Sequence, residues 1–109
     1  MLKDIVMQLK YLGVLPQIGF VEYGFHIENE DKSVRLVILT IEDAFFRQND
    51  LKRQEAPDLC YQIVLMGLDD DKARDDIPAY LPVTALDIAH YRGLHPTGKA
   101  RRFSKMVAG

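Results

Sequence analysis

The sequence contains very little cysteine, since Cys60 is the one such residue among 109. A disulfide within the chain is therefore excluded, and a small domain without disulfides is typical of a reducing compartment. Cys60 lies in an apolar run, where we expect a buried and unreactive thiol. The sequence also lacks the roughly 18 consecutive apolar residues of a membrane-spanning helix. Lys3, Asp4 and Lys10 interrupt the first apolar positions, unlike the apolar region of a signal peptide, so we expect a cytoplasmic protein that does not enter a membrane.

Internal repeats and low-complexity tracts are absent as well, and residues 1–95 contain no linker rich in Gly, Ser or Pro. Hydrophobic residues make up 48% of the chain, which is close to the globular average and argues against global disorder. We therefore expect residues 1–95 to form one compact domain. Residues 96–109 are expected to form a basic, flexible C-terminal tail.

Charge is distributed unevenly along the chain, although the net charge is only −2. Residues 1–87 contain all sixteen acidic residues and nine basic ones, a balance of −7. The residues after Asp87 include no acid and five basic residues, namely Arg92, Lys99, Arg101, Arg102 and Lys105. An acidic body with a basic end suggests either a tail folded back on the body or an arm for an acidic partner.

The first element predicted from hydrophobic spacing is an amphipathic helix over residues 2–12. Its apolar positions recur every three or four residues, at Leu2, Ile5, Val6, Leu9 and Leu12. Gly13 follows, and glycine commonly ends a helix.

A β-hairpin over residues 20–28 and 33–40 is the clearest pattern in the chain. Apolar residues alternate with mostly polar ones from residue 21 to residue 28, and a β-branched run follows a polar break at 29–32. A four-residue loop pairs Glu28 with Ser33 and places Leu36 opposite Phe25 on the buried face. Val37 and Leu39 then lie on the second face, whose apolar end we expect to be covered.

Three further elements are predicted after the hairpin. Thr40 and Asp43 match a capping box that begins a short helix reaching about residue 48. Residues 59–68 are apolar at both odd and even positions; we favour a central strand there and leave a helix open. A second capping box, Thr84 with Asp87, predicts a helix over residues 85–92 that ends at Gly93.

Together these elements predict the α+β class. We expect about three antiparallel strands, with an N-terminal helix and one or two later helices packed on one face. The layout over residues 2–92 is loosely similar to small secretion-chaperone-like α+β domains, through the order of its elements and through no specific motif. That resemblance implies peptide binding and dimerisation.

The region around residue 93 resembles a phosphate-binding loop. Residues 93–100 read Gly-Leu-His-Pro-Thr-Gly-Lys-Ala, and they depart from the motif at Ala100, which has no hydroxyl for Mg²⁺. The segment also follows a predicted helix, whereas the motif follows a strand. We keep an anion or nucleotide site over residues 90–99 as an alternative, with His90, Arg92, His95 and Lys99 as its binding residues.

Other chemistry receives little support from the sequence. No grouping of cysteine, histidine or acidic residues has the spacing of a metal site, so we expect no metal and no cofactor. No serine or cysteine has the setting of a catalytic nucleophile. Arg101, Arg102 and Lys105 surround Phe103, a mixture that nucleic-acid binders use, but we expect only weak binding because the body is acidic.

The preferred hypothesis is a non-enzymatic protein-interaction, chaperone-like or regulatory module. The partner is expected to be a protein, with a homodimer as one form. Apolar positions left over from the predicted core support this hypothesis, and the basic residues at positions 92–105 would contact an acidic partner.

Overall fold

A computed structural model describes residues 6–29, 31–69 and 76–94. Within them the elements follow in this order: β1 (Val6–Pro16), β2 (Phe20–Asn29), β3 (Val34–Glu42), α1 (Asp43–Arg47), α2 (Ala56–Asp69), β4 (Tyr80–Pro82) and α3 (Ala85–Leu94). The four strands form one sheet in the order β1-β2-β3-β4. The first three strands are antiparallel, and β4 pairs with β3 in parallel. The α+β class is confirmed, with a four-stranded mixed sheet where three antiparallel strands were expected.

The core lies between one face of the sheet and the helices. Alternate residues of β2 are buried, and Val37, Leu39 and Ile41 of β3 share their face. Against these pack residues of α2 and α3, including Leu59, Val64, Ile88 and Tyr91. No polar or charged residue is fully buried in the described segments. The result is a two-layer arrangement in which the opposite sheet face carries no helix of the described part of the chain.

The predicted N-terminal helix is wrong, because residues 6–16 form strand β1. Leu9 pairs with Ile27 and Tyr11 with Phe25, and the Tyr11 and Phe25 rings lie 5.3 Å apart. A bulge between Tyr11 and Gly13 adds one residue to the strand. The extra residue breaks strict alternation, so the apolar spacing imitates a helix. Gly13 has φ 149° within this bulge, where the sequence suggested a helix stop, and the resemblance to a helix-first layout is lost.

The β2–β3 hairpin is confirmed, but its predicted register is off by one residue. Asn29 donates its backbone N–H to the Ser33 carbonyl at 2.9 Å, so the loop has three residues. Lys32 in this loop has φ 74°, the left-handed conformation typical of such loops. Phe25 therefore pairs with Val37 rather than with Leu36. A one-residue change in register exchanges the two faces of a strand.

Residues 59–68 belong to helix α2, so the favoured strand is wrong. Ala56, Cys60, Val64 and Leu68 recur every four residues and are all buried. That spacing places them on one helical stripe facing the sheet. The Tyr61 ring lies 6.3 Å from the Phe25 ring, centroid to centroid. Cys60 is buried as expected, and desolvation raises the pKa of its thiol to about 12.

The two predicted capping boxes have different outcomes. Thr84 and Asp87 form theirs: the Asp87 N–H donates to Thr84 Oγ1 at 3.2 Å, and the Thr84 N–H donates to Asp87 Oδ2 at 2.9 Å. The predicted helix follows as α3, which continues through Gly93 to Leu94. Thr40 instead lies within β3, and α1 begins after Glu42 without a side-chain cap. The short helix itself is present.

Candidate functional site

The sheet face opposite the helices exposes a group of apolar side chains, and we call it the open face. Strand pairing places residues of β1, β3 and β4 on this face, beside the alternate residues of β2 that point away from the core. Its apolar members are Leu12, Leu15, Val34, Leu36, Ile38 and Tyr80. Leu15 is 57% exposed and Leu36 is 52% exposed. No element of residues 6–29, 31–69 or 76–94 covers them.

Gly24 lies at the centre of the open face and leaves a shallow depression there. A Cβ atom added at this position would lie 3.7 Å from Ile38 Cδ1 and 3.8 Å from Leu12 Cβ. Those are ordinary van der Waals distances, so the depression is narrow and has apolar walls. Its opposite sides belong to β1 and β3, which makes the centre of the face continuous across three strands.

Charged residues lie on both sides of this centre along the strand direction. Lys10 and His26 pair across β1 and β2 on one side of Gly24. Glu22 lies on the other side and pairs with Thr40 and Leu15. The open face is thus apolar at its middle, with Lys10 and His26 followed by Glu28 on one side of Gly24, and Glu22 on the other.

A second apolar surface lies between α2 and α3, and we call it the helix groove. It has a volume of about 510 Å³ and is lined largely by apolar side chains. Met66, Leu86 and Leu94 are its most exposed apolar members. The lining includes Asp87 and His90 but no lysine or arginine among the described residues.

Two polar contacts hold the helices on either side of this groove. The Tyr91 hydroxyl donates to Asp58 Oδ2 at 2.8 Å, joining α3 to the first turn of α2. Arg92 Nη1 and Nη2 donate to the two Glu55 carboxylate oxygens at 2.7 and 2.8 Å. Burial is the larger cause and the hydrogen bond to Asp58 the second cause that raise the pKa of Tyr91 to about 12. Hydrogen bonding to Arg92 lowers the pKa of Glu55 to about 2.

The structure places two of the residues predicted to bind an anion. His90 is exposed and lines the helix groove. Arg92 lines a different cleft, of about 400 Å³, where it also donates to the Asp50 carbonyl at 3.0 Å. The remaining predicted residues, His95, Lys99, Arg101, Arg102 and Lys105, lie outside the described residues, as do residues 96–109 altogether. The anion-site and nucleic-acid hypotheses therefore stay predictions.

Sequence reasoning missed the residues that form the open face. It placed Val37 and Leu39 there, whereas these are buried and Leu36 and Ile38 take their positions. The two registers differ in the length of the loop between β2 and β3. The polar residues 29–32 fit a four-residue loop, and residues 30–32 fit a three-residue loop equally well. Leu12 was missed because residues 2–12 were predicted to be helical, and Leu15 because no strand was predicted over residues 13–16.

The described segments show neither a metal-binding cluster nor a membrane-spanning helix. Residues 6–29, 31–69 and 76–94 contain no group of three or more His, Cys, Asp or Glu side chains positioned to hold a metal ion. In the same segments, no helix has the length and apolar character needed to cross a membrane.

No protein-family model, curated protein or solved structure that was compared with the chain matches it.

Proposed function

We propose that this protein is a non-enzymatic protein-interaction module whose contact surface is the open face and whose partner is a second copy of the chain. The observation that carries the proposal is the apolar cluster on the open face, where Leu12, Leu15 and Leu36 are each more than half exposed. Exposed apolar groups gathered on one surface are typical of interaction sites. Sheets pack well face to face, at a separation of about 10 Å.

The size of the open face suits such a dimer. Three strands about 4.8 Å apart and about 30 Å long, with the three-residue β4 at one edge, give a face of about 500 Å² in projection. Side-chain relief makes the accessible area larger than the projection. A stable interface needs about 800 Å² of accessible area from each partner, so the open face is of the right order.

The charges on the open face favour a second copy over an unrelated partner. In the proposed dimer, a two-fold axis lies in the plane of the interface, runs across the strands and passes through Gly24. Rotation about this axis places one end of the open face of the second copy over the opposite end of the first. Lys10 and His26 of one copy then lie over the region of Glu22 in the second copy. The two-fold axis repeats the same attraction at the other end. Opposite charges around an apolar centre favour this alignment and disfavour others.

The test is the substitution Leu36→Glu, with Ile18→Glu as the matched control. Ile18 lies at the tip of the β1–β2 turn and is 98% exposed, away from the open face. Sedimentation equilibrium over about a hundredfold range of concentration should give dimers for the wild type and for I18E. L36E should raise the dimer dissociation constant at least about tenfold, which is about 1.4 kcal/mol.

Circular dichroism of each variant checks that its fold is retained. A wild-type chain that stays monomeric throughout the concentration range would reject the proposed dimer. Equal dimerisation of L36E and the wild type would move the contact away from the open face.

A further inference from the structure

The helix groove is a preformed surface rather than a gap that side chains close. Tyr91 is bonded to Asp58, and Arg92 forms a two-point contact with Glu55. These contacts join the end of α3 to the start of α2 and to the residue before it. Between the two helices, Met66 and Leu86 remain more than half exposed. An apolar occupant would remove these side chains from water at about 25 cal/mol per Å².

The chain itself continues directly from this groove. Leu94 is the final residue of α3 and also part of the groove lining. Residues 95–98 read His-Pro-Thr-Gly, with proline and glycine at the second and fourth positions that a type I turn prefers. A turn here would reverse the chain after Leu94 and direct the following residues back along α3.

The segment after residue 98 is long enough to follow α3 along the groove. Helix α3 has 10 residues, which corresponds to a length of about 15 Å. An extended segment spans about 3.3 Å per residue, so the nine residues 99–107 could follow the whole groove. Apolar side chains are available on them at Phe103, Met106 and Val107.

Charge favours the same occupant. The described groove lining contains Asp87 and no lysine or arginine, and Asp58 lies beside it through its bond to Tyr91. Residues 99–107 contain Lys99, Arg101, Arg102 and Lys105 and no acid. The contact would weaken as the salt concentration rises, because salt screens exposed charge pairs. Each such pair contributes little by itself.

We propose that residues 99–107 of the same chain occupy the helix groove, with Phe103 and Met106 over its apolar centre near Met66 and Leu86. The short connection gives the segment an effective concentration in the millimolar range, so a modest intrinsic affinity is enough. A partner that binds the helix groove must then displace the chain's own segment. This inference concerns a surface other than the open face and does not depend on the proposed dimer.

The experiment uses the full chain with a nitroxide label on Ser104→Cys. Cys60 stays unlabelled because it is buried. Methyl NMR then measures how strongly the label broadens Met66 and Leu86, with Leu36 on the open face as the internal reference. We expect strong broadening of the two groove methyls and weak broadening of Leu36. Adding the double substitution F103S/M106S to the labelled chain should restore the groove signals, whereas the control A108S should not.

A mixture of labelled chains and separate NMR-visible chains distinguishes binding within one chain from binding between chains. Broadening of the groove methyls in that mixture, at the strength seen in the single chain, would overturn the proposal. Equal broadening of Leu36 and the groove methyls, or groove signals unchanged by F103S/M106S, would overturn it too. Neither outcome affects the sedimentation test of the open face.

Discussion

Glu55 and Arg92 connect the loop before α2 to the last turn of α3. Their side chains are 20% and 25% exposed, and the two-point contact is reinforced by the bond from Arg92 to the Asp50 carbonyl. Glu55 Oε1 also accepts the Lys52 backbone N–H at 3.0 Å. Charged hydrogen bonds in partly buried positions contribute about 1.5–3 kcal/mol. This carboxylate therefore stabilises the arrangement of the two helices as well as the loop.

The pH dependence of unfolding should reveal this contribution. Because the pKa of Glu55 in the folded state is about 2, below its ordinary value of 4.5, its stabilisation is present above about pH 5 and is lost as the pH falls towards 2. Glu55→Gln should lower the free energy of unfolding at pH 7 by about 2 kcal/mol and remove this part of the acid dependence. Urea titrations between pH 7 and pH 2 measure both effects.

Glu42→Gln is the matched control, since Glu42 is an exposed carboxylate at the end of β3. Its pH profile should follow that of the wild type. If E55Q and the wild type lost equal stability over this pH range, the Glu55–Arg92 contact would not be the source of the effect.

At the scale of elements, the register of β3 decides which residues form the core. Leu39 is fully buried and Leu36 is half exposed, although both are leucines of the same strand. The three-residue loop with Lys32 in the left-handed conformation sets this difference. A four-residue loop would exchange the two faces and bury Leu36 instead.

Alanine substitution distinguishes the two registers directly. Leu39→Ala should lower the free energy of unfolding by about 2–5 kcal/mol, because it creates a cavity in the core. Leu36→Ala should change it by less than about 1 kcal/mol. Urea unfolding at dilute protein concentration, where a dimer would dissociate, compares the two variants. The reverse order of effects would support the four-residue loop.

At the scale of the whole molecule, the sheet separates two apolar surfaces. The open face lies on one side, and the helix groove lies among the helices on the other. Most exposed large apolar residues of the described segments belong to one of these surfaces, including Leu12, Leu36, Met66 and Leu86. Since the surfaces are separated by the core, occupation of one leaves the other accessible.

The arrangement of charges in the proposed dimer leads to an exchange experiment. Glu22→Lys should weaken self-association, because the introduced ammonium group would face Lys10 and His26 of the second copy. Lys10→Glu should weaken it as well, because the introduced carboxylate would face Glu22. An equimolar mixture of E22K and K10E should recover association by forming mixed dimers. At one end of a mixed dimer the two introduced charges attract each other, and at the other end the original Lys10 and Glu22 do so.

Sedimentation velocity of each variant and of the mixture measures this recovery. The matched control is Glu28→Lys, which changes the same charge on β2 two residues beyond His26. E28K should gain nothing from mixing with K10E. A mixture of E22K and K10E that stays as dissociated as its components would exclude the proposed two-fold alignment.

Local features of this protein could be predicted from the sequence, because their signals lie within a few residues of one another. The alternation in β2 predicted a half-buried strand, and the pair Thr84 and Asp87 predicted the start of α3, because side-chain direction and capping depend on near neighbours. Composition and patterning were enough to predict a small α+β domain with a buried Cys60. The charge asymmetry of the chain was also readable without a structure.

Features that depend on pairing between distant segments could not be predicted from local patterns and are seen in the fold alone. Residues 6–16 form a strand because β2 offers an edge to pair with, and their bulge conceals the strand pattern. Residues 56–69 form a helix because a single stripe, from Ala56 to Leu68, packs on the sheet. The open face followed from loop length and register, which a one-residue difference reverses. The number and spacing of the apolar residues were thus evident from the sequence. Which of these residues face water depends on packing between elements that are far apart along the chain.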